Sequence, residues 1–199
     1  MSVNVEPIAM VVYYNPDKKV EEFKDWHGLA IALKDSESGN VAWSGEDEAK
    51  EFCSMSRSPI NYATDLYGWQ MTSRLVDHIC GEKHKHPAAE AAWAPSPANG
   101  FSDWFLPSAG QWILALQGIG YDWGLSNDNY RITGFGEWPW QTVGVPEAAL
   151  SEKLGYWTTT ETPITMDGEK KAVSFSRTGV YVYDISKTTK LPVRAFLAF

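Results

Sequence analysis

Apolar residues recur at helical spacing in residues 109–116, directly after a proline at position 107. They fall at i, i+3, i+4 and i+7, which predicts one apolar face of a helix: Ala109, Trp112, Ile113 and Leu116. Ser108 and Gln111 form a predicted capping box, in which each side chain accepts a backbone N–H of the first turn. We expect Gly118 and Gly120 to end this helix.

Three other segments have helical patterns. Thr64 or Asp65 can cap a helix that runs to about Ile79. One ridge of this helix has apolar residues at intervals of four: Tyr67, Met71, Leu75 and Ile79. Residues 87–93 predict a short helix with proline in its first turn and mostly alanine after it, and residues 146–154 predict another.

The N-terminal part predicts strands. Residues 7–14 are typical of a buried strand that turns at 15–17, and residues 27–35 form a second strand. In the second strand three large residues (Leu29, Ile31 and Leu33) alternate with Ala30 and Ala32. One face of the strand therefore carries large side chains and the other carries small ones. The small side chains let another layer of the fold approach closely. A short third strand is predicted at 41–43.

The C-terminal part also predicts strands, at 156–161, 172–176, 180–186 and 191–199. Residues 177–179 form the hairpin turn that joins the strands at 172–176 and 180–186. Residues 121–142 have no clean period and predict a long irregular loop. Together these elements predict an α+β fold with antiparallel sheets, two main helices and long irregular loops.

Length, charge and hydropathy limit the function. At 199 residues the chain suits one domain spanning 1–199. A net charge of −8 argues against nucleic acid and against anionic membrane surfaces. The chain has no apolar run of the roughly 20 residues that a membrane span needs, so we expect no membrane insertion. It also has no basic region near its start, as a secretory signal would, since the first lysine is Lys18.

Metal-ligand residue types occur in two groups. The first group is spaced His-x-Cys-x3-His-x-His, which is no standard zinc pattern: His78, Cys80, His84 and His86. We expect these histidines to lie in an exposed loop. The second group offers oxygen ligands without an EF-hand pattern, and Asx-turns explain it better: Asp122, Asn127, Asp128 and Asn129. The sequence thus predicts neither a metal site nor a cofactor. Cys53 and Cys80 could pair, but free thiols fit two cysteines better.

Catalytic patterns are weak. The chain has no Gly-x-Ser-x-Gly elbow. Glu137, Glu161 and Asp184 could act as paired acids, as in glycosidases, but their spacing cannot show it. We therefore predict that the protein is not an enzyme.

Aromatic residues are abundant, with ten Trp, nine Tyr and eight Phe. This density exceeds the need of a core of this size, so some are expected at the surface, where they favour recognition. The alternative is that Trp fills a loop-rich core, and we expect this of Trp104, Trp112 and Trp157. The predicted ligand-binding residues lie in the irregular loop and the last hairpin: Trp123, Asn127, Asp128, Tyr130, Arg131, Trp138, Trp140, Tyr181 and Tyr183.

Several phrases resemble a known family. They are FLPSAGQW at 105–112, YWTTTE at 156–161 and VRAF at 193–196, with GLAIALKD at 28–35 and HPAA at 86–89. In this order they resemble the Fibrobacter succinogenes major paralogous domain group (DUF1566), as found in Bacteroides fimbrillin-like surface proteins. The resemblance implies a C-type-lectin-like fold in which the terminal strands are paired.

The resemblance also implies a non-catalytic ligand-binding or adhesion domain of a bacterial cell-surface or fimbrial protein. Its partner would be a protein or glycan ligand, and the chain could form a homo-oligomer or part of a larger assembly. The Glu-Pro-Asn and Trp-Asn-Asp phrases of calcium-dependent lectins are missing. Sulfatase-modifying relatives use cysteines in the C-terminal half, whereas Cys53 and Cys80 lie in the first 80 residues. The alternatives are a bacteriophage virion fibre or receptor-binding protein, which a start at Met1 without a signal would fit, and an enzyme related to sulfatase-modifying factors.

Overall fold

The computed structural model describes residues 8–16, 26–45, 64–77, 85–93, 103–118, 123–126, 129–132, 155–162, 171–175 and 182–199. At 123–126, 129–132, 162 and 182–184 it describes the backbone only. This part of the chain is mixed α+β, with three helices and antiparallel sheets, which confirms the predicted fold class at this level. The predicted helix at 146–154, the turn at 177–179, Cys53 and Cys80 lie outside the described residues.

The helices are α1 (Gly68–Val76), α2 (Pro87–Trp93) and α3 (Ala109–Gly118). The strands are β1 (Ala9–Tyr14), β2 (Gly28–Ala32), β3 (Val41–Ala42), β4 (Trp104–Phe105), β5 (Trp123–Ser126), β6 (Asn129–Ile132), β7 (Tyr156–Thr162), β8 (Lys171–Phe175), β9 (Val182–Ser186), β10 (Lys190–Leu191) and β11 (Phe196–Ala198). They form a four-stranded sheet β1-β2-β11-β4, a three-stranded sheet β7-β8-β9, and the pairs β3–β10 and β5–β6.

The four-stranded sheet contains strands from both ends of the described chain, but they are not neighbours. β11 pairs antiparallel with β2 and with β4, and β2 lies between β1 and β11. The prediction that the terminal strands are paired is therefore wrong. The physical reason is burial: all five residues of β2 are buried, which suits a central strand, whereas Val11 and Tyr14 of β1 are exposed.

The two faces of β2 pack against different clusters. Leu29 and Ile31 of β2, with Leu33 just after the strand, belong to one core cluster together with residues of α3. Ala30 and Ala32 belong to a second cluster, which contains the alanines of α2 with Met71 and Leu75 of α1. The predicted division into a large and a small face is confirmed, because small side chains leave room for the two helices.

The first strand is an edge strand rather than a buried one. Val12 is buried, but Val11 is 56% and Tyr14 64% exposed. The register with β2 shifts between Val11 and Tyr13, and such a bulge bends an edge strand and twists it locally. The prediction of a buried strand at 7–14 is wrong for Val11 and Tyr14, because an apolar run does not show which of its residues face water.

Helix α2 has the predicted bounds, whereas α1 begins later than predicted. Asp65 does not cap α1: its Oδ1 accepts the Tyr67 backbone N–H at 3.3 Å, and its Oδ2 accepts the Thr160 hydroxyl at 2.6 Å. The helix starts instead at Gly68, where an added Cβ would lie 2.1 Å from Oε1 of Gln111. A larger residue at 68 would therefore push α1 away from α3.

The capping box of α3 is confirmed. The Ser108 backbone N–H donates to Oε1 of Gln111 at 3.0 Å, and the Gln111 N–H donates to the Ser108 Oγ at 3.3 Å. Both side chains also reach the segment before α1: the Ser108 hydroxyl donates to the Asp65 carbonyl, and the Gln111 amide donates to the Leu66 carbonyl. The box thus joins α3 to a segment more than 40 residues away.

The C-terminal segment 191–199 is two short strands instead of the predicted single one. β10 pairs with β3, and β11 pairs in the four-stranded sheet. Between them Pro192 has no N–H to donate, and its carbonyl accepts the Trp157 N–H at 3.3 Å. The buried Arg194 guanidinium donates to the carbonyls of Ala32 and Leu33 at 3.1 and 2.9 Å. These contacts divert the backbone from one sheet to the other.

The predicted irregular loop at 121–142 contains a hairpin of β5 and β6, so the prediction is wrong for that part. Ser126 pairs with Asn129, which leaves two residues to connect the strands. The pattern is missed in the sequence because each strand has only four residues. Residues 133–142 lie outside the described part.

Candidate functional site

The structure describes the predicted ligand-binding residues only in part. Trp123, Tyr130 and Arg131 lie in the hairpin, and Tyr183 lies in β9, all with backbone alone. The remaining five lie outside the described residues: Asn127, Asp128, Trp138, Trp140 and Tyr181.

The register of the hairpin divides the three residues it contains. Trp123 pairs with Ile132, and Tyr130 pairs with Leu125. Paired residues share a face of the ladder and successive residues alternate, so Trp123 and Tyr130 occupy positions on one face. Arg131, opposite Gly124, is at a position on the other face. A flat ligand on this ladder would meet the two aromatic positions or the arginine position, but not both.

Tyr183 has a different setting. It pairs with Ser174, which pairs in turn with Trp157, so the three form one row across the three-stranded sheet. Ser174 and Trp157 are fully buried. The assignment of Tyr183 to an exposed binding surface stays a prediction, and its place in this row does not favour it.

An exposed apolar patch that the sequence analysis missed lies at one end of the four-stranded sheet. Tyr14 pairs with Gly28, Val11 pairs with Ala30, and Phe199 exchanges backbone hydrogen bonds with Gly28. A Cβ at Gly28 would lie 2.7 Å from the Phe199 ring. Val11, Tyr14 and Phe199 are exposed, and we call these three residues with Gly28 the Gly28 patch.

The described tryptophans are mainly core residues. Trp104, Trp112 and Trp157 are buried, as predicted, and so is Trp43. Trp112 stacks on Phe175 with ring centroids 4.9 Å apart. In the described part, therefore, the dense Trp content serves packing more than recognition.

Asp65 is the centre of a buried hydrogen-bond network. Its Oδ2 accepts from the hydroxyl of Thr160, whose oxygen accepts the Ala109 N–H at 2.9 Å. Its carbonyl accepts from the Ser108 hydroxyl. This network connects β7, the start of α3 and the segment before α1. Desolvation by burial raises the pKa of the Asp65 carboxyl, and the hydrogen bonds from Thr160 and from the Tyr67 backbone act in the opposite direction.

Asp65→Asn is expected to change how stability depends on pH. Since the folded pKa of Asp65 is raised above 3.8, protonated Asp65 favours folding below that value, and this contribution is lost as pH rises through the folded pKa. The variant lacks this loss, so its free energy of unfolding relative to the parent should increase from about pH 3 to about pH 7. Urea denaturation across this range measures it, and two parallel pH curves would contradict it.

Glu161, one of the three candidate acids, is engaged in the core. Its Oε1 forms an ion pair with Nζ of Lys187, and both side chains are fully buried. The Lys187 ammonium lies 4.5 Å from the ring centroid of Trp43. Glu137 and the side chain of Asp184 lie outside the described part, so the structure brings no second acid to Glu161 among the residues it describes.

Of the four candidate zinc ligands, the structure describes only His86. His78, Cys80 and His84 lie outside the described residues. His86 is 1% exposed and meets Trp43 edge to face at 5.2 Å. The expectation of an exposed loop histidine is wrong at this position, since HPAA begins a helix that packs into the core. Within the described part no three His, Cys, Asp or Glu residues are grouped to hold a metal ion. Asp122, Asn127 and Asp128 also lie outside it.

Chelation is expected to leave the protein unchanged. If no metal contributes to folding, EDTA at millimolar concentration should not shift the melting temperature measured by circular dichroism. A drop of several degrees, restored by added Zn²⁺ or Ca²⁺, would identify a metal site at the first or second ligand group.

Comparisons with protein-family models, with curated proteins and with solved structures gave no match to this chain. None of the described helices is long and apolar enough to cross a membrane.

Proposed function

We propose that the protein is a non-catalytic ligand-binding or adhesion domain of a bacterial cell-surface or fimbrial protein, and that it binds a protein or glycan through an aromatic surface. The observation that carries the proposal is the β5–β6 ladder within the aromatic segment 121–142. The ladder sets Trp123 and Tyr130 at positions on one face. Aromatic residues on a regular scaffold suit recognition because little conformational entropy is lost on binding.

The C-type-lectin-like fold is part of the same proposal. Strands from both ends of the described chain lie in one antiparallel sheet, and α1, α2 and α3 fall between them in the chain. The separate three-stranded sheet and hairpin also suit a scaffold that carries a variable binding region. The interposed β2 is a departure from direct pairing of the terminal strands.

The buried ion pair of Glu161 with Lys187 supports a binding function over glycoside hydrolysis. A glycosidase acid has to reach the glycosidic oxygen, whereas Glu161 is fully buried and paired with Lys187.

Trp138→Ala combined with Trp140→Ala is expected to abolish binding. An immobilised glycan array is the first probe, and binding of the parent protein would define the ligand. The double variant should then lose binding at least tenfold, while its free energy of unfolding changes by less than about 1 kcal/mol. A variant that unfolds would place the tryptophans in the core, and unchanged binding would move the site elsewhere.

Three further variants locate the surface. Trp123→Ala with Tyr130→Ala tests one face of the ladder, and Arg131→Ala tests the other. Tyr14→Ala with Phe199→Ala tests the Gly28 patch. Loss of binding only in the last variant would transfer the proposed function from segment 121–142 to that patch.

A further inference from the structure

The most enclosed pair of reactive groups in the described part is Lys187 with Glu161. Glu161 lies in β7, and Lys187 follows directly after β9, so the two come from opposite edges of the three-stranded sheet. The Lys187 carbonyl accepts the backbone N–H groups of Trp43 and Ser44 at 2.8 and 3.2 Å. The backbone of Lys187 is therefore fixed, and its side chain is directed to the Glu161 carboxylate.

Both side chains of the pair are fully buried, and the Lys187 ammonium lies against the Trp43 ring. Trp43 is 1% exposed, its ring lies under the Lys187 ammonium, and its Nε1–H donates to the Thr158 carbonyl at 2.8 Å. His86 packs edge-on against the same ring. Two opposite charges in such a site lose the hydration that they would have in water, and their attraction has to offset this cost.

We propose that Lys187 and Glu161 condense into an intramolecular amide bond between Nζ and Cδ. The step begins with transfer of one ammonium proton to the carboxylate, which gives a neutral amine and a neutral acid. The Nζ lone pair attacks Cδ and forms the C–N bond, the C–OH bond breaks, and the leaving hydroxyl takes a second Nζ proton. The products are one amide and one water molecule, so no co-reactant is needed.

Two features of the site favour this step. Both reacting groups are held in contact by the fold, which replaces a bimolecular encounter by a unimolecular one. The amide is neutral, so it removes the desolvation cost of the ion pair, and exclusion of water opposes its hydrolysis. The bond would join both edges of the β7-β8-β9 sheet and close a covalent loop over residues 161–187. It does not depend on the proposed ligand-binding function.

The intact mass of the purified full chain tests the proposal. Under reducing and denaturing conditions we expect a mass lower than that of the sequence by about 18 Da, the mass of one water. Proteolysis should release one branched peptide that joins Lys187 to Glu161. The unaltered sequence mass, together with a linear peptide in which the Lys187 amine can be acetylated, would overturn the proposal.

Two variants exclude another source of water loss. Asp167-Gly168 is a sequence that can dehydrate to a succinimide. Asp167→Glu should keep the mass deficit, and Lys187→Arg should abolish it while the positive charge is retained. A deficit that persists in Lys187→Arg or disappears in Asp167→Glu would overturn the proposal. If Lys187→Arg does not fold, the branched peptide of the parent chain decides.

Discussion

Trp112→Ala is expected to lower the free energy of unfolding by about 3–5 kcal/mol. The side chain is fully buried and contacts both large sheets from α3. It stacks on Phe175 of β8, with the planes 7° apart, and meets Phe196 of β11 edge to face at 4.9 Å. Alanine would leave a cavity where helix and sheets meet, and surrounding aromatic rings cannot collapse into it without losing their own contacts.

Urea denaturation followed by circular dichroism measures this loss. Tyr14→Ala is the matched control, because it also removes an aromatic side chain but from an exposed position, and it should change stability by less than about 0.5 kcal/mol. A loss below about 1 kcal/mol for Trp112→Ala would show that α3 does not organise the core.

The sequence was most informative where the deciding contacts are local. The capping box of α3 depends on two residues three positions apart, Ser108 and Gln111, and its hydrogen bonds are as predicted. The bounds of α2 follow equally from its first proline and its alanines. The two faces of β2 could be predicted because strand alternation fixes them without knowledge of the partner.

Contacts between distant residues could not be predicted in this way. The sequence pattern predicts an ordinary strand residue at Arg194. In the structure its Nε donates to Asp35 at 2.6 Å, across 159 positions of the chain. This pairing and the carbonyls that surround Arg194 help to divide the last strand in two. The order of strands in the four-stranded sheet is likewise a long-range property, set by which strand is buried on both faces.

For the candidate site, the sequence allowed a prediction from amino-acid composition alone. The abundance of aromatic residues in segment 121–142 pointed to recognition, but the ladder that separates Trp123 and Tyr130 from Arg131 depends on cross-strand register. The Gly28 patch was hidden because an apolar edge strand and an apolar central strand have the same residue types. Exposure, which distinguishes them, depends on the neighbours that the fold supplies.

The second large effect is expected for Lys187→Met, which should lower the free energy of unfolding by about 3–5 kcal/mol. Methionine matches the length of the lysine stem and keeps its packing on Trp43. It removes the contact that Lys187 makes with the fully buried side chain of Glu161.

The double variant Lys187→Met with Glu161→Leu separates the cost of losing the contact between these two residues from the cost of altered packing. Since both charged groups are replaced by apolar ones of similar volume, it should recover most of the stability that the single variant loses. The parent, the single variants Lys187→Met and Glu161→Leu, and the double variant form a double-mutant cycle that urea denaturation at about pH 7 measures. If the double variant loses as much as the two single variants together, Lys187 and Glu161 do not act as a pair. If the parent carries the amide bond, it will remain more stable than the double variant, because only the parent has the covalent loop.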